Sequence, residues 1–483
     1  MKIAVIASFL IAILHSILFY GQKLGLSVFL FCLVLGFFIL GILEKNGKIQ
    51  NKKPLLLSVP IILLSATYFI FNNSFFYVAN IIAIVILFAV MLILAMFEKA
   101  SLKLIINKML NLILGPLEFL EEAIGSIIDT IVDLFKKEKE PKTKNKNIGK
   151  IIKGIIITIP ILIIVLILLS SADSIFSNEL TEVLNSVFSL DMFKGETYIN
   201  LYFRLIIIIG IAIYLIAFLY NILEDNFCEK DSGKDKVWKI DTIVGNTILT
   251  ILNLVYLVFC YIQISVLFMK IGDMQNFDYA NYARQGFFQL MAVSLINLVI
   301  ILITSKKEEI NKKLNYTKIM NLLLAGFTII ILCSSFYRMY LYEQAYGYTF
   351  LRLMVYFALI TEIILIIPTI MYILDIKINL TKTYFVVIIL MYILVNYVNI
   401  DYIIAKKNID RYFEDANYEL DMNYLQTLSV DATGQIIRLQ NAEDENILKQ
   451  VNYYLYKVKS ETENINLQNF NINRVIAKSK VEK

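Results

Sequence analysis

Long apolar runs, separated by short polar loops, organise most of this chain of 483 residues. A helix that crosses a bilayer core of about 30 Å needs roughly 20 such residues. The pattern therefore predicts eleven membrane-spanning helices. They are expected at 3–20, 24–43, 54–71, 75–97, 154–170, 201–223, 242–269, 285–304, 318–337, 349–374 and 383–399.

Composition supports the same class of protein. Hydrophobic residues make up 58% of the chain and charged residues only 18%, which is too apolar for a soluble globular protein. We therefore predict an all-α fold, a polytopic membrane helix bundle. The first run begins after Lys2 as a secretory signal would, but no small-x-small cleavage site follows at 15–22 and a second span starts at once, so we expect it to be retained.

The loop lysines predict an orientation. With a cytoplasmic N-terminus, the inner segments hold 27 lysines and no arginine, whereas the outer loops and outer span ends hold seven basic residues. Basic residues concentrate on the cytoplasmic side of membrane proteins. Eleven crossings then place the tail 400–483 outside the cell, and the protein is expected in a bacterial cytoplasmic membrane.

Charge and cysteine content exclude several kinds of site. The net charge of +5 follows from the topology and does not indicate nucleic-acid binding. His15 is the only histidine, and the four cysteines lack metal-ligand spacing, so we expect no metal, no cofactor and no disulfide framework. The cysteines are Cys32, Cys228, Cys260 and Cys333.

The sequence divides into four parts: a four-helix membrane segment at 1–97, a cytoplasmic segment at 98–153, a seven-helix core at 154–399 and the tail at 400–483. In the second part, residues 117–135 combine an apolar helical stripe with a face of five acidic residues. Two interpretations stay open for this helix, packing within the chain or contact with a cytoplasmic partner. The lysine-rich run 136–153 that follows is typical of an anchor to anionic lipid.

The tail differs in composition from the rest. It is rich in Asn, Asp, Glu and Tyr, with helical patterns near 402–415, 431–440 and 443–463 and no strong strand alternation. We expect a small helical cap on the outer face.

Short motifs from the fifth run onward follow a characteristic order. They are Ser171-Ala172-Asp173, Gln263 with Leu267-Phe268, 279–290, Arg338-Met339 with Leu341-Tyr342, Tyr346-Gly347-Tyr348-Thr349 with Arg352, 405–411 and 428–432. The chain thereby resembles the bacterial multi-pass membrane proteins grouped as domain of unknown function 4173 and the related group 4153. The likeness covers roughly 170–432 and implies a membrane-embedded helical fold, without an activity.

Four arginines lie at the predicted outer ends of different spans: Arg204, Arg284, Arg338 and Arg352. Arginine presents a planar fork that binds phosphate or carboxylate in bidentate fashion. One hypothesis is therefore a site for an anionic solute or an anionic lipid. The alternative is snorkelling to headgroups or pairing with acidic residues such as Glu343.

Polar residues also fall inside the predicted spans. Glu362 lies near the middle of its run, where an ionised carboxylate is costly, so a proton- or cation-coupling role competes with a hydrogen-bonded neutral carboxyl. Asn246 and Asn253 share one face of another run, and Gln263 follows on the same run. Such a stripe faces protein or water, either as helix–helix contact or as the lining of a path.

Three classes of function follow. A transporter or lipid-translocating protein would use the polar residues inside the bundle and the arginines at its mouth. A membrane enzyme on lipid-linked substrates would use outer acidic residues. These are Asp173, Glu179, Glu182 and Asp191. A sensor or assembly factor would use the tail and the acidic cytoplasmic helix. The first class is our leading hypothesis, and an enzyme is the less favoured one.

Overall fold

Helices account for all the regular secondary structure that the computed structural model describes, namely in residues 2–97, 101–135, 196–224, 227, 241–268, 287–305, 315–415 and 418–482. The predicted all-α fold is confirmed. Several features named in the sequence lie outside these residues: the fifth predicted run, the lysine-rich run 136–153, Cys228 and Arg284.

Nine of the described helices are long and apolar enough to cross a membrane. They are α1 (Lys2–Phe19), α2 (Leu26–Lys45), α4 (Ser74–Met96), α7 (Glu196–Leu223), α8 (Thr242–Phe268), α9 (Phe287–Ser305), α10 (Tyr316–Tyr346), α11 (Phe350–Ile373) and α12 (Leu380–Tyr397). In α7 and α8 the membrane-length parts are Phe203–Leu223 and Thr242–Gln263. Each coincides with a predicted run. The chain is accordingly a multi-pass membrane protein.

The third predicted run forms a shorter helical segment than expected. Helix α3 (Ser58–Ala66) is flanked by 3₁₀ turns at Lys53–Leu57 and Thr67–Phe69. Pro54 lies in the first of these turns and Pro60 in the first turn of α3, where a missing N–H is tolerated. The whole segment, Lys53–Phe69, is shorter than the nine membrane-length helices.

Helix α10 is longer than its predicted run, which ended at Tyr337, directly before Arg338. The helix continues to Tyr346 and ends at Gly347, whose φ of +76° and ψ of −172° favour glycine. Nine further residues are thus helical, and Arg338 and Glu343 lie within the helix rather than in a loop.

The described residues divide into two compact units. The first comprises Met1–Ser65, Ile82–Gly233 and Leu467–Asn469, and the second comprises Ala66–Ile81, Lys234–Asn466 and Phe470–Lys483. The four-part division predicted from composition stays a prediction.

In the first unit, α5 (Leu102–Leu114) and α6 (Leu120–Phe135) follow the spans of the N-terminal segment. Ala123 and Ile127 of α6 pack with Val5 of α1 and Ile216 of α7 in one apolar cluster. The acidic side chains at 118, 121, 122 and 129 are exposed. The apolar stripe of the 117–135 segment therefore packs within the chain, and its acidic face is exposed.

In the second unit, α8 to α12 form a helix bundle. Helices α8 and α10 run parallel, and α9 and α11 run antiparallel to α10, as the residue pairs given below show. Thr328, Ser335 and Leu332 are fully buried on α10, which packs against α8, α9 and α11. Helix α10 therefore lies at the centre of the bundle.

The described part of the tail folds into helices. These include α13 (Ile400–Glu414), α14 (Met422–Leu425), α15 (Thr433–Ile436), α16 (Glu445–Thr462) and α17 (Ile472–Val481). All of these except α15, which follows Ala432, start at an asparagine or aspartate cap. The side chains of Asn399, Asp421, Asp444 and Asn471 each accept a backbone N–H of the following helix. Ile404, Ile436, Leu439, Val451 and Tyr454 pack in one core, which gives this polar segment a tertiary structure.

Candidate functional site

Polar side chains join α8 and α10 near the start of both helices. Thr317 Oγ1 donates a hydrogen bond of 2.8 Å to Asn246 Oδ1, and Asn253 Nδ2 donates one of 2.9 Å to the carbonyl of Met320. The polar stripe identified in the sequence thus faces α10 rather than lipid. At the same level, Lys318 forms an ion pair with Asp375, which follows α11.

A second set of polar contacts lies further along α10. Asn297 of α9 is fully buried, its Nδ2 donates to Thr328 Oγ1 at 3.1 Å, and its Oδ1 accepts from the hydroxyl of Tyr256 on α8 at 2.9 Å. Thr304 Oγ1 donates to Asn321 Oδ1 at 2.9 Å. Polar side chains of α8, α9 and α10 therefore meet inside the bundle.

Glu362 of α11 lies at the same depth. Its side chain is 4% exposed and forms a hydrogen bond with Ser294 Oγ of α9. Ser294 is fully buried, and its Oγ also lies 2.7 Å from the carbonyl oxygen of Met291. The partner of the mid-span carboxyl is thus a hydroxyl on a different helix.

The third set of contacts lies toward the end of α8. Gln263 Oε1 accepts hydrogen bonds from Ser334 Oγ at 2.6 Å and from Arg338 Nη2 at 3.1 Å. Gln263 and Ser334 are buried, and Arg338 is half-buried. This contact links a predicted intramembrane polar residue directly to a predicted ligand-binding arginine.

These contacts form one structure, which we call the polar column. It comprises Asn246, Asn253, Tyr256 and Gln263 of α8, Ser294, Asn297 and Thr304 of α9, Thr317, Asn321, Thr328, Ser334 and Arg338 of α10, and Glu362 of α11. From Thr317 to Ser334 the column follows α10 for about 25 Å at 1.5 Å per residue. That length is comparable to the hydrocarbon core of a bilayer.

The guanidinium of Arg352 has different partners from that of Arg338. Its Nη1 donates to the carbonyl of Tyr346 at 2.9 Å and to that of Gly347, and its guanidinium lies 4.3 Å from the ring centre of Tyr342. A cation at these last carbonyls of α10 interacts favourably with the helix dipole. Arg352 therefore stabilises the end of α10, a role that the sequence did not reveal because it depends on the turn at Gly347.

Glu343 contacts tyrosines rather than the arginines proposed as its partners from the sequence. The carboxyl is buried and interacts electrostatically with the phenols of Tyr348 and Tyr356. Burial and the neighbouring Glu343 carboxylate raise the pKa of Tyr348. The Tyr348 phenol therefore stays protonated.

The tail contacts the turn between α10 and α11. Asn408 of α13 forms two hydrogen bonds with the backbone of Tyr348, and Arg411 Nη2 donates to the carbonyl of Gln344 at 2.6 Å. The Arg411 guanidinium lies 4.5 Å from the ring centre of Tyr418. The motifs 346–349 and 405–411, separated in sequence, are thus in contact.

The remaining sequence-predicted residues have other surroundings. Arg204 belongs to the first unit, where its Nε donates to Ser16 Oγ at 2.7 Å. Arg284 lies outside the described residues, as do the outer acids named for an enzymatic function, which are Asp173, Glu179, Glu182 and Asp191. Within the described ranges, no three His, Cys, Asp or Glu side chains are grouped as metal ligands would be.

Comparison with known proteins identifies one family. A family described as "Domain of unknown function (DUF4153)" matches residues 58–439. This confirms the resemblance to the 4153 group and extends it to spans before Ser171, where nearly uniform apolar sequence offers few short motifs. Neither the curated proteins nor the solved structures yield a match.

Proposed function

This chain belongs to the DUF4153 family, and we propose that it binds or translocates a ligand that carries phosphate or carboxylate, either a free anion or a lipid headgroup. In this proposal the ligand is recognised at the Arg338 end of the polar column. The column then provides the polar environment that an anion needs inside a bilayer.

The polar column is the observation that carries this proposal. Polar pairs that only join membrane helices contribute roughly 0.6 kcal/mol each on average. A carboxyl at mid-span costs about 2.5 to 3.5 kcal/mol on insertion scales when it is charged. Helix association alone does not require a titratable carboxyl such as Glu362 at this depth, whereas a path for a polar ligand or ion can use one.

Arg338 is the preferred ligand-binding arginine of the described residues. It lies at the end of the column and donates to Gln263. Arg352 contacts the carbonyls that end α10 and is not part of the polar column, and Arg204 belongs to the first unit. A guanidinium has five N–H donors, and two on one edge match the two oxygens of a phosphate or carboxylate.

We retain the orientation derived from the lysines, with a cytoplasmic N-terminus and an outer tail. It places Arg338 on the outer side of a bacterial cytoplasmic membrane. The exposed acidic face of α6 then lies in the cytoplasm and supports the proposal of a protein partner there.

Sensing by the tail is a second candidate function. Its support is the contact of Asn408 and Arg411 with residues 344–348, directly before the helix that carries Glu362. A tail that binds a partner would act on this turn. A change in the protection of residues 344–350 from hydrogen exchange when the tail is bound by an antibody fragment would support it; unchanged protection would contradict it.

Ligand binding tests the leading proposal. The full chain is placed in nanodiscs of phosphatidylcholine alone, which receive inorganic phosphate, or of phosphatidylcholine with phosphatidylglycerol, whose retention is measured after detergent exchange. Arg338→Lys is compared with Arg438→Lys, a tail arginine that is paired with Asp410. We expect about tenfold weaker binding in Arg338→Lys only, equivalent to about 1.4 kcal/mol.

The two arms distinguish the sources of the anion. An effect on inorganic phosphate alone identifies a free anion, and an effect on phosphatidylglycerol alone identifies a headgroup. Wild-type binding by Arg338→Lys in both arms would contradict the proposal, as would equal losses in the two arginine variants.

A further inference from the structure

We propose that Glu362 is a proton-binding site of the helix bundle, whose neutral carboxyl donates a hydrogen bond to Ser294. The proposal deepens the proposed function and rests on it for one point only, namely that the proton is exchanged when the ligand moves. The proton site itself is argued from the contacts of Ser294.

Ser294 has too few protons for both of its contacts. Its Oγ lies within hydrogen-bond distance of the Met291 carbonyl and of Glu362 Oε2. A hydroxyl has one proton, and a carbonyl oxygen only accepts. Serine in a helix commonly donates to the carbonyl of the preceding turn. Once its proton is given to Met291, the proton between Ser294 and Glu362 must come from the carboxyl.

Charged groups that would stabilise an ionised Glu362 are remote in the described residues. Helix α9 has no charged residue, and the part of α10 between Lys318 and Arg338 has none. Lys318 pairs with Asp375, and Arg338 donates to Gln263. On α11 itself, Arg352 lies ten residues away, about 15 Å along the axis.

The other titratable groups near this part of the bundle are phenols and thiols. The Tyr384 hydroxyl of α12 pairs with Thr369 and the Tyr256 hydroxyl pairs with Asn297, whereas Tyr356 interacts electrostatically with Glu343. The thiols are Cys260 of α8, beside the Phe327 carbonyl, and the exposed Cys333 of α10. None carries a positive charge, so a proton on the carboxyl is the means of neutralising it.

The contact also provides a two-state exchange. When water enters the column, the carboxyl O–H bond breaks and the proton goes to that water. The Ser294 hydroxyl then turns from the Met291 carbonyl to the new carboxylate and donates to it. Asn297 lies one helical turn from Ser294 and is hydrogen-bonded to Thr328 and Tyr256. Atoms and charge balance, because one proton leaves as one negative charge remains.

Infrared spectroscopy tests the proton directly. The full chain in phosphatidylcholine nanodiscs at neutral pH is expected to show the carbonyl-stretch band of a protonated carboxyl, which Glu362→Gln removes. Glu445→Gln, at an exposed tail position, should leave it unchanged. Ser294→Ala removes the hydrogen-bond acceptor, so the band should shift to higher frequency. A band unaffected by Glu362→Gln overturns the proposal; if that variant does not fold, an unshifted band in Ser294→Ala overturns it.

Proton exchange is measured separately, with inorganic phosphate added to phosphatidylcholine vesicles that contain the protein and a trapped pH-sensitive dye. A pH change that Glu362→Gln abolishes supports coupling, and phosphate uptake without one overturns coupling. If the infrared band is present but neither phosphate nor phosphatidylglycerol binds, the proton site stands and the proposed function fails. If the ligand binds but the band is absent, the proposed function stands and the proton site fails.

Discussion

Asn408 of α13 pairs both ends of its side-chain amide with the backbone of Tyr348. Its Oδ1 accepts from the Tyr348 N–H and its Nδ2 donates to the Tyr348 carbonyl, each at 2.8 Å. Asn408 is 5% exposed, so these backbone groups depend on it rather than on water. The tail is thereby fixed to the turn between α10 and α11.

Asn408→Asp tests this contact with almost no change in shape. The aspartate keeps the acceptor but places a second oxygen against the Tyr348 carbonyl, so we expect the tail to lose about 1 to 3 kcal/mol of stability, the cost of an unsatisfied buried group. Hydrogen exchange of α13 measures the loss. Asn446→Asp at an exposed position is the control. Equal protection of α13 in both variants would show that the contact contributes nothing.

Gly347 makes the same turn sensitive to a single methyl group. Its φ of +76° and ψ of −172° lie in a region almost restricted to glycine, and a Cβ there would meet the Tyr418 hydroxyl and Asn408 Oδ1. We expect Gly347→Ala to lower stability by about 1 to 3 kcal/mol through backbone strain alone. Gly326→Ala, within α10, where a Cβ meets nothing within 4 Å, is the control. Thermal unfolding in detergent compares them, and similar midpoints would refute the prediction.

Most spans could be predicted from the sequence because the hydropathy of a span is a local property. Prediction was less accurate where the chain leaves a uniform apolar pattern. The run 54–71 gave a shorter segment with two prolines, and α10 extended beyond Tyr337 through polar residues that its packing buries, such as Glu343. Packing, unlike hydropathy, is determined by the other helices.

Only part of the candidate site could be predicted from the sequence. Glu362 and Gln263 could be singled out, since a polar residue within an apolar run is conspicuous. Their partners, Ser294 and Ser334, could not be predicted. Serines are common in membrane helices, and only the packing of the helices shows which polar side chain each serine contacts. The role of Arg352 was likewise hidden, since its acceptors are backbone carbonyls.

Arg352 and Arg338 should respond differently to the same substitution. Arg352→Lys loses the planar contact with Tyr342 and the geometry of two carbonyl bonds, so we expect about 1 to 2 kcal/mol of destabilisation at the end of α10. Phosphate or phosphatidylglycerol binding should persist. Arg338→Lys should show the opposite pattern. Thermal unfolding and ligand binding are measured on both variants. Loss of binding in Arg352→Lys at unchanged stability would instead assign Arg352 to the ligand site.

The orientation of the tail has its own test. A fluorescent reporter that matures only in the cytoplasm is expected to stay dark after Lys483 and to be bright when inserted after Lys144, within the lysine-rich run. The reason is the concentration of lysines in the inner loops. Fluorescence after Lys483 would reverse the predicted side of Arg338 and of the tail.

Asp431 should make the tail less stable as the pH rises. Its carboxyl accepts the backbone and side-chain N–H groups of Asn72 at 2.8 and 2.9 Å, yet burial raises its pKa from 3.8 to about 6. A carboxyl with a raised pKa contributes stability below its unfolded pKa, and this contribution is lost as the pH rises through the folded value. The window is therefore about pH 4 to 6.

Asp431→Asn isolates this effect, because asparagine does not titrate. We expect the wild-type tail to lose about 3 kcal/mol relative to the variant across that window, from a pKa difference of about two units at about 1.4 kcal/mol per unit. Hydrogen exchange of α15 and α17 at several pH values measures it. Carboxyls that do not interact with Asp431 titrate alike in both proteins and cancel in the difference. A difference that stays constant, or that grows in favour of wild type as the pH rises, would show that the hydrogen bonds from Asn72 outweigh the burial of Asp431.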